Sequence, residues 1–250
     1  MVSSSLDAES RRTLLNALLE QDGAVVLTHA AETYGVSEMT IRRDLSDMER
    51  EGLVRRVRGG AVAVSPELFQ RRQQAGATAK QLIASKLVPL TPTKGAVALD
   101  ASTTIHWYAQ MLPANALTVV TSGLETFGVL KGRPGIRACI TGGEVETLTG
   151  SLVGPLAQRT VRQFVFARAF LSASGLHSDL GATEATIDGA EFKRTVLSVS
   201  RSVVLAVDST KLEQTGAALA LRLDEIDVLV TDLAPGDQSL DPFRDRMEIL

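Results

Sequence analysis

Residues 37–61 read SEMTIRRDLSDMEREGLVRRVRGGA, and this stretch decides the fold of the first part of the chain. Ile41, Leu45 and Met48 recur at helical spacing, so they predict an amphipathic helix with one buried face. Ser37 precedes that helix and is a suitable N-cap. The residues after the helix alternate apolar and polar side chains around a glycine pair, a pattern typical of a β-hairpin.

Two further helices and a short strand are predicted before this stretch. Leucines at helical spacing predict a first helix after Asp7, and VVL is a short strand. Thr28 is placed to cap a second helix, HAAETY, which Gly35 ends. Two helices joined by a short glycine-containing turn form a helix-turn-helix, and the hairpin behind them would be a wing.

The arginines of this region predict contacts with DNA. In a helix-turn-helix, the N-terminal half of the second helix enters the major groove, where arginine pairs with guanine and hydroxyls reach phosphates or base edges. The wing is placed to reach phosphates or the minor groove. The predicted DNA-binding residues are Ser37, Glu38, Thr40, Arg42 and Arg43 on the helix and Arg55, Arg56 and Arg58 on the hairpin.

A solvated charged helix is the alternative interpretation of the same residues. Glu38–Arg42 and Arg43–Asp47 have the spacing of ordinary surface ion pairs on a helix. Over residues 1–60 the acidic residues outnumber the arginines, and the whole chain has a net charge of −3. Proteins that coat nucleic acid are usually basic. Any contact with DNA must therefore be local and selective.

The rest of the chain predicts a second domain of the α/β class. The stretch SPELFQRRQQAGAT at 65–78 is polar and without periodicity, as in a linker. Beyond it, apolar stretches such as AVALDA, LTVVT and VVLAVDS alternate with helical segments, which is typical of a mostly parallel sheet. We therefore expect a winged helix-turn-helix domain at 1–60, a linker at 61–75 and an effector-binding and oligomerisation domain at 76–250.

The composition indicates the cellular compartment of the protein. The chain has one cysteine, Cys139, which excludes an internal disulfide and favours the cytosol. The N-terminal residues lack an apolar signal core, and no stretch is long enough to cross a bilayer. We expect a soluble cytoplasmic protein without a membrane partner.

Small and polar residues follow each predicted strand of the second domain. In open α/β sheets the carboxyl ends of the strands form the ligand crevice. Hydroxyls at the start of a helix bind anions, and a lysine adds charge, so we expect a small phosphorylated molecule with hydroxyl groups. The alternative is that the residues of ASTT only cap a helix. The predicted effector-binding residues are Asp100, Ser102, Thr103, Thr104, Thr121, Ser122, Gly142, Gly143 and Lys211.

The motifs, taken in order, resemble the DeoR family of bacterial regulators of sugar metabolism. The helix and hairpin at 37–61 resemble that family's winged helix-turn-helix, and LDASTT, VVTSGLE, TGGEVE, VDSTKL and LVTD resemble blocks of its C-terminal domain. The resemblance implies a second domain similar to ribose-5-phosphate isomerase and the glucosamine-phosphate deaminases. It also implies a phosphate held by the loop at 102–104, with Asp100 at its base and Lys211 reaching the ligand.

Two positions depart from the common pattern of that family. Ser102-Thr103-Thr104 stands where many members have Gly-Thr-Thr, and Thr121-Ser122 stands where many have Thr-Asn. Both changes touch the expected pocket. The identity of the sugar phosphate therefore does not follow from the resemblance.

The resemblance implies a transcriptional regulator, a repressor of carbohydrate-metabolism genes that a phosphorylated sugar releases from double-stranded DNA. Symmetric DNA sites imply a homodimer or homotetramer. The alternative is an isomerase-like enzyme with an appended DNA-binding domain. Glu184, Glu191 and Lys193 lie near one another in sequence, but without the glycine-rich block of the isomerases. The three histidines are isolated. We therefore expect no catalytic residues, no cofactor and no metal.

Overall fold

A computed structural model describes residues 7–22, 24–50, 54–57, 59–63, 66–146 and 149–250. The chain divides into two units, Met1–Arg71 and Arg72–Leu250. The elements of the first unit are α1 (Ala8–Asp22), β1 (Ala24–Val26), α2 (Leu27–Tyr34), α3 (Glu38–Arg50), β2 (Val54–Val57) and β3 (Gly60–Ala63). Helix α4 (Pro66–Gln74) includes the last residues of this unit and the first residues of the next.

The first unit is a helix-turn-helix with a β-hairpin, as predicted. Ile41, Leu45 and Met48 are buried on one face of α3, so the apolar stripe of the sequence is the core face of the helix. Ser37 caps α3, since its Oγ accepts a hydrogen bond from the amide of Thr40. Strands β2 and β3 form the antiparallel hairpin, and β1 pairs with β3 to complete a three-stranded sheet.

The start of α2 differs from the prediction. The helix begins at Leu27, directly after β1, and Val26 occupies the N-cap position. The predicted cap, Thr28, lies inside the first turn. The helix starts early because the amide of Leu27 already donates to the carbonyl oxygen of Gly59 (2.8 Å) and its side chain is buried. The predicted end is confirmed, since Gly35 closes α2 in the left-handed conformation (φ 64°) that favours glycine.

The segment expected to be a linker, 61–75, contains most of β3 and all of α4. Phe69 is buried, but the helix sequence PELFQRRQQ is otherwise mostly polar. Phe69 is the one buried apolar residue among the described side chains of α4, and so periodicity does not predict this helix.

The second unit alternates strands and helices along most of its length. Its helices are α5 (Ala77–Leu87), α6 (Thr103–Met111), α7 (Leu124–Leu130), α8 (Pro155–Val161) and α9 (Ile187–Ser198), with 3-10 turns at Val88–Leu90, Ser209–Lys211, Leu223–Glu225 and Gln238–Phe243. Its strands are β4 (Lys94–Leu99), β5 (Ala116–Thr121), β6 (Ile136–Ile140), β7 (Glu144–Val145), β8 (Leu152–Val153), β9 (Arg168–Leu171), β10 (Gly175–His177), β11 (Gly181–Glu184), β12 (Val203–Ala206), β13 (Ala218–Leu221), β14 (Val228–Val230) and β15 (Glu248–Ile249).

A seven-stranded parallel sheet in the order β15-β14-β12-β9-β4-β5-β6 forms the centre of this unit. Val97 and Leu99 of β4 belong to the core that contains α5 and α6, whereas Ala98 belongs to the core that contains α8 and α9. Because neighbouring residues of a strand point to opposite faces, helices cover both sides of the sheet. The predicted α/β fold class is confirmed; the small antiparallel sheets β10-β11-β13 and β7-β8 are additional.

The order of the strands determines where a ligand crevice opens. From β4 the chain proceeds outward to β5 and β6, then returns to β9 on the other side of β4 and proceeds outward through β12, β14 and β15. The direction of winding reverses between β4 and β9. In open α/β sheets the ligand crevice lies at the carboxyl ends of the two strands that flank such a reversal.

Candidate recognition helix and ligand cavity

The N-terminal half of α3 presents a polar surface. Ser37, Glu38, Arg42 and Arg43 are exposed and Thr40 is half-buried. Arg42 and Arg43 make no ion pair with any residue that the structure describes, and the Glu38–Arg42 and Arg43–Asp47 pairs of the solvated-helix interpretation do not form. Asp47 instead pairs with Arg50 at the other end of the helix.

One acidic residue of α3, Asp44, holds this helix against α1. Asp44 is buried and receives two hydrogen bonds from the guanidinium of Arg11 on α1, at 2.5 and 3.1 Å. A buried charge is tolerated only when it is paired in this way. The pair therefore joins α1 to α3 and turns the Asp44 carboxylate away from the surface that carries Arg42 and Arg43.

The wing arginines differ from one another. Arg56 donates its Nε to Glu49 Oε2 (2.7 Å) and its amide to Glu49 Oε1 (2.9 Å), so its charge is matched by a carboxylate of α3. These hydrogen bonds lower the pKa of Glu49 below its ordinary value. The backbone of Arg55 belongs to β2, and Arg58 lies outside the described residues.

A cavity of about 510 Å³ opens at the carboxyl ends of β4 and β9. Asp100 follows β4, and Ser102 caps α6 by accepting a hydrogen bond from the amide of Ile105 (3.2 Å). Thr103 and Thr104 form the first turn of α6. These residues line the cavity together with Ser122 and Lys211, so the crevice expected from the strand order contains six of the nine predicted effector residues.

The other three predicted residues do not line the cavity. Thr121 is fully buried, and its hydroxyl accepts a hydrogen bond from the amide of Gly123 (3.1 Å) in the turn after β5. Gly143 has φ 127°, and a Cβ at this position would lie 2.3 Å from the carbonyl oxygen of Val153. Gly142 is an exposed neighbour in the same loop. The close approach of the Val153 backbone therefore explains the need for glycine at Gly143.

A buried ion network forms the floor of the cavity. Lys193 of α9 contacts Oδ2 of Asp100 (2.9 Å), Oε1 of Glu184 and the carbonyl oxygen of Ser172. Asp100 also accepts hydrogen bonds from the amides of Ser102 (2.9 Å) and Ser172 (2.7 Å). Glu184 accepts a hydrogen bond from the hydroxyl of Ser174 (3.0 Å). This network fixes the carboxylates at the base of the cavity.

The two carboxylates decide the protonation of the network. Burial alone would lower the pKa of Lys193, but the carboxylates of Asp100 and Glu184 raise it above its ordinary value. Burial alone would raise the pKa of Asp100, whereas Lys193 and the amide and hydroxyl donors lower it. Both groups are therefore held in their charged forms at neutral pH.

Three further cations line the cavity and are bound differently. Lys211 donates to the carbonyl oxygen of Ala173 (2.8 Å), Lys80 to the carbonyl oxygen of Ala75 (2.6 Å), and Arg72 to the carbonyl oxygen of Thr149 (2.7 Å). Burial lowers the pKa of each of the three groups. These cations and the N-terminus of α6 lie around one part of the cavity, where an ionised ligand would offset that cost of burial.

Sequence comparison agrees with both halves of this geometry. Residues 11–67 match the DeoR-like helix-turn-helix domain, and residues 76–233 match the DeoR C terminal sensor domain. The chain belongs to the DeoR family. The resemblance expected from the sequence motifs is thereby confirmed.

Curated relatives of this DeoR-family protein are transcriptional regulators. The HTH-type transcriptional regulator GolR of Listeria innocua is 32% identical and covers 89% of each chain. The L-fucose operon activator of Haemophilus influenzae is 29% identical over 89% of this chain and 91% of its own. The lactose phosphotransferase system repressor of Staphylococcus epidermidis is 28% identical over 87% and 89%.

Solved structures are more distant from this DeoR-family chain. Ribose 5 phosphate isomerase A from Neisseria gonorrhoeae covers 53% of this chain and 52% of its own, with 15% identity and a TM-score of 0.37. The sorbitol operon regulator SorC from Klebsiella pneumoniae covers 82% and 90%, with 11% identity and the same TM-score. These similarities are too low to bear on function.

Several cavity residues of this DeoR-family protein were not among the predicted site residues. They are Arg72, Lys80, Ser172, Glu184 and Lys193. Glu184 and Lys193 are near one another in sequence, but their proximity to Asp100 is visible only in the fold. Ser172 Oγ is buried and has no hydrogen-bond partner among the described residues, which suits it to a ligand hydroxyl. In the described part of the chain, no helix has the length and apolar character needed to span a membrane.

Proposed function

We propose that this chain is a sequence-specific DNA-binding transcriptional repressor of carbohydrate-metabolism genes, released from its operator by a phosphorylated sugar. In this proposal, residues 1–60 bind double-stranded DNA and 76–250 bind the effector and form the oligomer, with 61–75 connecting them. An effector changes DNA affinity only if it prefers one arrangement of the protein over another. The proposal therefore requires an effector site whose affinity for the ligand differs between the DNA-binding arrangement and another arrangement of the protein.

The cluster of cations that lines the cavity carries this proposal. Lys80, Lys211 and Arg72 lie with Thr103 and Thr104 around one cavity, and this combination suits a phosphate group. The remaining polar groups suit hydroxyls, because carboxylates accept hydrogen bonds and hydroxyls both donate and accept them. A cavity that suits a phosphate group in one part and hydroxyl groups in another fits a sugar phosphate.

On the DNA side, the exposed face of α3 supports recognition in the major groove. Arg42 and Arg43 are exposed next to Met39, whose side chain is 70% exposed. An arginine fork reads guanine, and an apolar side chain contacts the methyl group of thymine. We propose Ser37, Glu38, Thr40, Arg42 and Arg43 for the groove and the phosphates at its edge, and Arg55, Arg56 and Arg58 for the phosphates of the flanking backbone. Ser37 acts there chiefly by fixing the start of α3.

The partners of the charged groups in the cavity floor make Lys193 a weak proton donor and Asp100 a weak proton acceptor, since they raise the pKa of Lys193 and lower that of Asp100. An isomerase needs a group that takes up a proton and another that gives one. Lys193 is held protonated by two carboxylates, and Asp100 is held ionised by Lys193 and two amides. We propose that the protein has no enzymatic activity. Turnover of sugar phosphates well above background in an isomerase assay would contradict this.

We also propose a cytoplasmic homodimer or homotetramer. Operator DNA with two half-sites requires two recognition helices. Light scattering coupled to size-exclusion chromatography would measure the mass; a monomer at micromolar concentration would contradict the proposal.

The effector is tested by a thermal-shift screen of the full chain against sugar phosphates and the same sugars without phosphate. A ligand at about 100 times its Kd stabilises by about 2.7 kcal/mol, which raises the melting temperature by on the order of 5–10 °C. We expect such a shift with a sugar phosphate only. Lys211→Met should lose it, whereas Lys131→Met, at an exposed position outside the cavity, should keep it. Equal shifts with the unphosphorylated sugars would contradict the proposal.

A further inference from the structure

The segment 72–80 forms one wall of the cavity. It comprises the end of α4, a turn and the start of α5, and five of its residues line the cavity: Arg72, Ala75, Gly76, Ala79 and Lys80. Gly76 makes the turn between the two helices with φ 64°. The chain that leads away from the DNA-binding unit thus becomes part of the proposed effector site.

Lys80 holds the end of α4. Its side chain is buried, and its Nζ donates to the carbonyl oxygens of Arg72 and Ala75. The last carbonyls of a helix have no partner within the helix, and a cation at this end also interacts favourably with the helix dipole. Lys80 therefore acts as a C-terminal cap that α5 provides for α4.

Groups of the cavity unit hold the same turn of α4 from other directions. The indole Nε1 of Trp107 and the hydroxyl of Thr103 lie 3.4 Å from the carbonyl oxygens of Gln73 and Arg72. Both residues belong to α6, and Thr103 is in its first turn. The anion-binding end of α6 and the end of α4 are consequently in direct contact.

We propose that Lys80 couples effector binding to the DNA-binding unit, an inference that rests on the proposed function. A bound phosphate draws the ammonium of Lys80 away from the carbonyl oxygens at the end of α4. A hydrogen bond between two ions is stronger than one between an ammonium and a neutral carbonyl. The α4 carbonyls then lose their cap, and the helix that continues into the first unit loosens at its end. The effector thereby favours an arrangement that differs from the ligand-free one.

Lys86 provides a matched control on the same helix. Its Nζ also donates to two carbonyl oxygens, of Thr231 and Leu233, each at 2.8 Å. Lys86 does not line the cavity. Lys80→Met and Lys86→Met therefore remove the same kind of contact, but only the first removes a cavity cation.

Hydrogen exchange of the full chain, with inorganic phosphate as the probe, tests this coupling. In the wild type and in Lys86→Met, phosphate should slow exchange of the amides at 103–106 and speed exchange at 72–80 by about tenfold. In Lys80→Met, exchange at 72–80 should already be fast without phosphate, and phosphate should not increase it further.

Three results overturn the inference and are distinguishable. Slower exchange at 103–106 with unchanged or slower exchange at 72–80 would mean that phosphate binds but that Lys80 does not release α4; the proposed function would stand. No change at 103–106 at any phosphate concentration would remove the effector site, and the coupling with it. Faster exchange at 72–80 that persists equally in Lys80→Met would assign the effect to another residue.

Discussion

The cations of α3 and those of the cavity are used in opposite ways. Arg42 and Arg43 are exposed and have no ion-pair partner in the described structure, whereas Lys193 is buried between two carboxylates. Lys80 and Lys211 stand between these extremes, since they are sheltered but bonded to carbonyl oxygens. The partner of each cation indicates what that cation can still bind.

This difference explains how one acidic chain can bind two kinds of anion. The exposed arginines of α3 attract a polyanion, and this attraction is strongest at low ionic strength. Binding it breaks no ion pair in the described part of the fold. A cation bonded to neutral carbonyls can exchange them for a phosphate, but one neutralised by two carboxylates cannot. Lys193 therefore belongs to the framework of the cavity, whereas Lys80 and Lys211 are the cations proposed to bind the effector.

The largest expected effect comes from removing the framework cation. Lys193→Met leaves the carboxylates of Asp100 and Glu184 buried without their cation, and breaking a buried pair in this way costs about 3–5 kcal/mol. Urea unfolding should show that loss in the free energy of unfolding of the variant.

Lys131→Met is the control for this measurement. Lys131 is exposed at the end of α7, and its removal should change the free energy of unfolding by less than about 0.5 kcal/mol. If Lys193→Met were as stable as Lys131→Met, Lys193 would not be a framework residue and the distinction drawn between the lysines would fail.

A smaller effect is expected at the recognition helix. Arg43→Ala should weaken operator binding by at least about tenfold, on the order of 1–3 kcal/mol for one arginine that reads a base. Arg50→Ala is the matched control, because Arg50 lies at the other end of α3 and is paired with Asp47. The operator is first selected from random-sequence DNA with the full chain. Equal affinities of both variants in a gel-shift titration would place the reading surface elsewhere.

The fold could be predicted where a local pattern reflects a buried surface. The stripe Ile41, Leu45 and Met48 gave the inner face of α3 because a helix repeats its core positions every turn. The parallel strands were visible as apolar runs because helices cover both faces of their sheet. Helix α4 has no such signal, since Phe69 is its one buried apolar residue among the described side chains.

The cavity was predictable only in its strand-end residues. Asp100, Ser102 and Ser122 follow strands whose carboxyl ends meet at one edge, so a rule about sheets places them together. Lys80, Glu184 and Lys193 reach the same cavity from α5, β11 and α9, and no sequence spacing connects these elements. Gly142 and Gly143 obey the strand-end rule, yet β6 lies at the edge of the sheet, two strands from the reversal.

The smallest expected effect separates two arginines that look equivalent in the sequence. The salt dependence of DNA binding counts the phosphates that cations neutralise, and each lost contact lowers the slope by about 1. Arg56 is already matched by Glu49, so Arg56→Met should change the slope of log K against log salt less than Arg42→Met does. Glu49→Gln should raise the slope, because it frees the charge of Arg56 for the DNA backbone. A loss of about 1 in Arg56→Met with no gain in Glu49→Gln would mean that Arg56 exchanges Glu49 for a phosphate on binding, as the cavity lysines are proposed to exchange their carbonyls.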